Sequence, residues 1–224
     1  MPDGLAATNV IVAAVFGYLL GSVPFGYLAG KTRGVDIRRH GSGVIGATNT
    51  LRVLGPGFAI AVALLDASKG LLSAFVGRWL IGDPAWGATI GGAAAVAGHS
   101  WSIFLGFGGG KSVAASFGVV VFFMPQLALF AVIAFILLIV STRYVSLGSL
   151  GGVIVAAVLG LVRPGLSLAY RFFLVYAAVL IIYRHQANIR RLLAGTESKF
   201  GQRVSSRSSD KGGPPRAKGG SESD

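Results

Sequence analysis

The chain has 224 residues, of which 53% are hydrophobic and 12% charged, and its mean hydropathy is +0.70. A soluble domain carries roughly 25% charged residues, so the composition excludes an ordinary soluble fold and indicates a polytopic membrane protein. There is no cysteine, which excludes disulfides, thiol catalysis and cysteine metal sites, and the three histidines and few acids leave little for any metal.

The net charge of +12 is unevenly placed. Lys31, Arg33, Arg38, Arg39 and Arg52 follow the first apolar stretch, and a second basic run from Arg184 onward follows the last. Under the positive-inside rule both clusters mark cytoplasmic faces. A nucleic-acid partner is not indicated, because most of the chain belongs in lipid. Residues 1–9 carry only Asp3 as a charged side chain, which does not resemble a cleavable signal and fits an uncleaved first helix with its N-terminus outside.

Taken in order, the first span covers residues 10–30 and is followed by a cytoplasmic loop over 31–52. The second covers 54–80 and turns outside at Asp83-Pro84. The third covers 85–104 and leads into a glycine-rich turn, Gly106 to Lys111. Residues 112–142 would make one helix of about 45 Å, long enough for one crossing and too short for two full ones. A single crossing would leave the basic C-terminal part outside, so the charge rule favours two short helices broken at Met124-Pro125. The sixth span covers 147–162 and the seventh 167–185. The expectation is an all-α bundle of seven transmembrane helices over residues 1–200, followed by a disordered basic and polar tail over 201–224. Glycines four apart, at Gly17/Gly21, Gly26/Gly30, Gly87/Gly91 and Gly148/Gly152, predict close helix packing.

The chemistry gathers in a polar stretch between apolar segments: Gly41-Ser42-Gly43-Val44-Ile45-Gly46-Ala47-Thr48-Asn49, then Arg52. Glycines let backbone N–H groups crowd an anion, hydroxyls add donors and an arginine adds fixed charge, so this reads either as a phosphate cradle or as a plain turn. Gly110-Lys111-Ser112 ends like a nucleotide P-loop, but Leu105 stands where that motif needs glycine and a helix, not a strand, precedes it. A His-x-x-x-x-Asp acyltransferase motif is absent, since Ile45, Phe104 and Arg190 stand five residues after the three histidines. Gly-x-Ser-x-Gly does not occur either. The topology nevertheless collects Ser42, Thr48, Asn49, Arg52, His99, Lys111, His185 and Asn188 on the cytoplasmic side. The alternatives are structural: Arg52 and Lys111 as snorkelling interfacial cations, His185 as a helix cap, His99 as a packed histidine. Asp66 and Lys69 read as a mutually neutralising pair. Apart from the termini, tail and outer turn, the carboxylates are Asp36, Asp66 and Glu197, with no obvious pair for acid–base work. An enzyme built this way would position an already activated substrate and stabilise charge. A small transporter for an anionic solute fits the same topology.

Several motifs resemble one family, the integral-membrane acyl-phosphate:glycerol-3-phosphate acyltransferases of bacteria known as PlsY. They are Gly41 to Asn49 with Arg52, Gly98-His99 through Gly109-Gly110-Lys111, and Arg143 to Leu147 with Tyr183 to Ile189. Gly21 to Gly26 and Asp66 to Gly70 are similar to it as well. The resemblance implies seven helices and a cytoplasm-facing site in the inner membrane. It implies acyl transfer to the 1-hydroxyl of glycerol 3-phosphate, giving lysophosphatidic acid and phosphate, with no cofactor, metal, acyl-CoA or acyl carrier protein. By the same resemblance Ser42, Arg52, Lys111, His185 and Asn188 are the catalytic set. Gly41, Gly43, Gly46, Thr48, Asn49, His99, Gly109 and Gly110 would shape the phosphate sites. The chain departs from the family pattern at Val44, Gly108, Ser112, Gln186 and Ala187, where the family usually has asparagine, a charged residue, glycine, arginine and glutamate.

Overall fold

The computed structural model describes residues 3–201, so the tail expected from residue 201 lies, from 202 on, outside the described residues. All regular structure among the described residues is helical, apart from one isolated bridge between Ser102 and Gly108. The helices are α1 (Asp3–Ser22), α2 (Phe25–Lys31), α3 (Ala47–Leu54), α4 (Pro56–Leu80), α5 (Pro84–Ser100), α6 (Val113–Phe123), α7 (Pro125–Thr142), α8 (Val145–Val162), α9 (Leu168–Arg184) and α10 (Gln186–Leu193).

Local chemistry sets the boundaries. Pro56, Pro84 and Pro125 each open a helix at its first position, where the missing N–H would have had no partner. Asp83 caps α5 by accepting from the Ala85 and Trp86 amides, and Ser167 caps α9 by accepting from Tyr170. The first span is broken at Val23-Pro24 into α1 and α2. The break expected at Met124-Pro125 is present, with Met124 buried at 7% exposure and Pro125 exposed. Phe123 stacks on Tyr170 at 4.3 Å and meets Phe173 edge-on at 5.6 Å, which fixes the end of the short α6. Two features differ from the sequence expectation. Residues 47–54 form a helix rather than loop, with Gly46 as its N-cap. The last span bends by 60° at His185 into α10.

Four stretches are long and apolar enough to cross a bilayer: Ala6–Lys31, Pro56–Leu80, Pro125–Thr142 and Val145–Val162. The bent pair α9–α10 makes a fifth if taken as one span.

Helix α5 sits at the centre, against α1, α4, α6 and α9. Glycine makes these approaches close. A Cβ on Gly118 of α6 would strike the Ala67 carbonyl of α4, and one on Gly70 of α4 would strike the Ala115 carbonyl of α6. Gly17 and Gly21 of α1 do the same work against α5, and Gly87 and Gly91 of α5 do it against α4. Replacing Gly118 by Leu forces α4 and α6 apart and should lower stability by about 2 kcal/mol or more, measurable as a lower midpoint of thermal unfolding in detergent.

Candidate active site

The cradle is shaped by one buried side chain. Asn49, 1% exposed, accepts from the Ser42 amide at 2.8 Å and donates to the Ile37 and His40 carbonyls at 3.0 and 3.1 Å. These bonds fold residues 37–49 back on themselves. The fold needs Gly41 and Gly43 in the left-handed region, with φ of +58° and +72°. Asp36 holds the same loop from outside through a two-pronged pair with Arg38. The side chains of Ser42, Thr48 and Arg52 make no hydrogen bond or ion pair among the described residues, and all three line a cavity.

A second loop, residues 106–111, is gripped from two sides. The Gly110 amide donates to the His99 carbonyl at 2.9 Å. Arg184 donates to the Gly110 and Gly109 carbonyls at 3.0 and 3.1 Å and lies over the Trp101 ring. Ser112 follows in the left-handed region with φ of +60°. Its hydroxyl donates to the Val96 carbonyl at 2.8 Å, so the Ser100 hydroxyl must be the donor in the 2.6 Å contact between the two serines. The serine at this position is thus tied into α5.

Lys111 begins a chain of polar contacts. Its Nζ donates to Asn188 Oδ1 at 2.6 Å, and Asn188 Nδ2 donates to Glu197 Oε1 at 2.6 Å. Glu197 also accepts from Ser146 Oγ at 2.8 Å and from Arg191 Nε at 2.6 Å. The segment carrying Glu197 is latched to the α7–α8 turn, where the Phe200 amide donates to the Arg143 carbonyl and Arg143 donates back to the Phe200 carbonyl. His185 Nδ1 lies 2.8 Å from the Ile181 carbonyl. A carbonyl only accepts, so Nδ1 carries the proton and Nε2 is left with its lone pair.

These groups meet in a cavity of about 400 Å³. Its polar end is formed by Ser42, Thr48, Arg52, Lys111, His185 and Asn188; its apolar arm continues past Phe117, Val120, Val132, Phe135, Ala156 and Leu174. Gly46, Asn49 and His99 also reach the cavity wall. Gly41, Gly43, Gly109 and Gly110 stand behind it and act by shaping the two loops. Val44 lines the cavity as an apolar patch between the hydroxyls. Sequence reasoning had left Glu197, Ser146 and Arg184 without a role. Glu197 had one available signal: it is the single carboxylate close after the last basic span, in a chain with very few.

Burial pushes the Lys111 ammonium down from 10.5 to about 8; Glu197 opposes the shift, and Arg191, Arg52 and Arg184 add to it. Burial alone would raise the Glu197 carboxyl, but the bonds from Asn188, Ser146 and Arg191 outweigh it and hold the group below its ordinary value. The positive side chains at the polar end of the cavity are Arg52 and Lys111.

A helical membrane bundle with a cationic pocket opening into a hydrocarbon-lined arm is suited to a phosphate-bearing amphiphile. The family model described as glycerol-3-phosphate acyltransferase matches residues 11–195. A protein of that name from Symbiobacterium thermophilum is 46% identical over 193 residues, 86% of this chain and 96% of the relative. One from Halalkalibacterium halodurans is 49% identical over 191 residues, 83% and 93% of the two chains. The crystal structure of PlsY, an integral membrane glycerol 3-phosphate acyltransferase, in its glycerol 3-phosphate form matches with a TM-score of 0.82 at 41% identity, covering 86% of this chain and 96% of that one. Its lysophosphatidic acid form matches with a TM-score of 0.80 at 40% identity, covering 86% and 95%. The chain belongs to the glycerol-3-phosphate acyltransferase family.

Two outcomes follow from the geometry. The free protein holds Lys111 as a cation below about pH 8, so kcat/KM for a phosphate substrate should fall as pH rises through that value, while kcat, set by the complex with a bound dianion, should fall at higher pH. Replacing Glu197 by Ala strands Asn188 and Arg191 and should lower stability by about 2 kcal/mol, read by thermal unfolding.

Proposed function

We propose that the chain transfers an acyl group from acyl-phosphate to the 1-hydroxyl of glycerol 3-phosphate, giving lysophosphatidic acid and inorganic phosphate for phospholipid synthesis. The observation that carries this reading is the continuity of one cavity from the cations Arg52 and Lys111 to an apolar arm. Glycerol 3-phosphate is held by Arg52, Lys111, His185 and Asn188. The acyl-phosphate lies with its phosphate near Ser42, Gly46 and Thr48 and its tail in the arm.

The hydroxyl oxygen attacks the acyl carbon, the bond from that carbon to the phosphate oxygen breaks, and the hydroxyl proton ends on the leaving phosphate. An acyl-phosphate is a mixed anhydride with a good leaving group, so no strong protein base is required. His185 Nε2, with its free lone pair, is the side chain best disposed to orient the hydroxyl. The protein contributes chiefly positioning and fixed positive charge.

The proposed setting is the bacterial inner membrane, with seven crossings, the N-terminus outside and the site at the cytoplasmic face. Among the described residues, Arg38, Arg39 and Arg52 of the first basic cluster lie on the segments that form the cradle, and Arg184 and Arg191 of the second bond the loop and the carboxylate beside it, which supports a cytoplasmic end under the positive-inside rule.

The test is direct. Purified protein given acyl-phosphate and glycerol 3-phosphate should release lysophosphatidic acid and phosphate in equal amounts. Lys111→Ala and Arg52→Ala should each lower turnover by about two orders of magnitude or more. Near-normal activity in both would remove these residues from the site, and phosphate flux in proteoliposomes without acyl product would replace the reaction by transport.

A further inference from the structure

Three ionisable side chains are buried in the bundle and carry no role in the reaction just described, and two of them, Asp66 and His99, border the cavity from α4 and α5. Asp66 and Lys69 are each 2% exposed and His99 is 4% exposed. Asp66 Oδ1 stands between two partners, Lys69 Nζ at 2.8 Å and His99 Nδ1 at 3.4 Å. Lys69 Nζ also donates to the Val23 carbonyl at 2.9 Å, at the break between α1 and α2. The far side of the His99 ring faces the second loop: a Cβ on Gly110 would fall on His99 Nε2. The residue after Gly110 is Lys111. A line of contacts therefore runs from the α1–α2 break through α4 and α5 to the backbone beside the proposed phosphate ligand.

Charge neutrality does not account for this arrangement. Two buried charges lose more solvation than their attraction commonly restores, and an apolar pair of the same volume would pack as well. The pair earns its place through the third partner. The Asp66 carboxylate faces His99 Nδ1 at 3.4 Å, an electrostatic contact without hydrogen-bond geometry, and so biases the ring to turn its Nδ1 edge toward α4. The Nε2 end of that ring is what Gly110 rests against, while Arg184 holds the Gly109 and Gly110 carbonyls.

We propose that Asp66, anchored by Lys69, orients the His99 ring so that it supports Gly110 and thereby sets the position of Lys111, making Asp66 and His99 positioning residues rather than substrate ligands. The proposal rests on the reading of Lys111 as a phosphate ligand only for its effect on turnover; the effect on Lys111 itself is independent of that reading.

The experiment uses the full-length protein in detergent micelles and two double variants. Asp66→Asn with Lys69→Met removes both charges and keeps an acceptor opposite His99 Nδ1. Asp66→Leu with Lys69→Met removes the acceptor as well. The amine of Lys111 is titrated by brief labelling with acetic anhydride across pH and read by peptide mass spectrometry. The charged groups that face Lys111 (Glu197, Arg52, Arg184 and Arg191) are the same in every variant, so a moved midpoint reports a moved amine. The wild type should titrate at about 8. The Asn variant should keep that midpoint. The Leu variant should shift it upward by about one unit, as the amine moves toward water, and raise KM for glycerol 3-phosphate about tenfold with a smaller change in kcat. His99→Phe should behave as the Leu variant does and serves in its place if that protein does not fold. Equal midpoints in the Asn and Leu variants, or a wild-type midpoint in His99→Phe, would overturn the proposal. Loss of acyl transfer in the wild type would instead count against the proposed function and leave the titration result standing.

Discussion

An ammonium group at the end of a hydrocarbon-lined cavity is the constraint around which the rest of this molecule is arranged. Lys111 is half-buried where water no longer solvates it fully, so its charge survives only because protein atoms replace that water. Asn188 supplies the nearest oxygen, Glu197 the compensating charge, and Ser146 and Arg191 fix that carboxylate in turn. These residues come from four stretches of the chain, with Asn188 and Arg191 together on α10. Holding one cation in place therefore fixes the relative positions of the second loop, α8, α10 and the segment beyond it.

The bundle meets this demand by bringing helices unusually close. Carbonyl groups of α4, α5 and α6 lie where a side chain would otherwise stand, and glycines on the facing helix make room. In lipid there is no hydrophobic force between two apolar helices, so such contact surfaces do the holding. The short α6 borders the apolar arm of the cavity, which lies between it and the α7–α8 pair.

How much was legible in the sequence depended on whether a signal was local. The break at Met124-Pro125 could be read because proline and the charge rule both pointed to it. The small-residue spacing on α1 and α5 could be read because helix geometry makes four-residue neighbours share a face. The cradle residues Ser42, Thr48 and Arg52 could be named from residue type, and the structure brings them together with Lys111, His185 and Asn188 at one cavity. The helical form of residues 47–54 was not legible, because a glycine-rich approach hid its start. The role of Asn49 was only half visible: it reaches the cavity wall, yet its hydrogen bonds go to the loop backbone. Glu197 escaped because its partners lie 6, 9 and 51 residues away and meet it only once α8 and α10 have come together.

The position of Glu197 along the chain has a bearing on how the protein is made. The cradle and the second loop leave the ribosome early, with most of the bundle still unsynthesised behind them. The carboxylate that compensates Lys111 emerges only after α10, and the Arg143–Phe200 latch that holds its segment closes later still. A chain that ends before residue 197 lacks the carboxylate that compensates Lys111 and accepts from Asn188 and Arg191, so the charge balance of the pocket is completed only by one of the last described segments to be made.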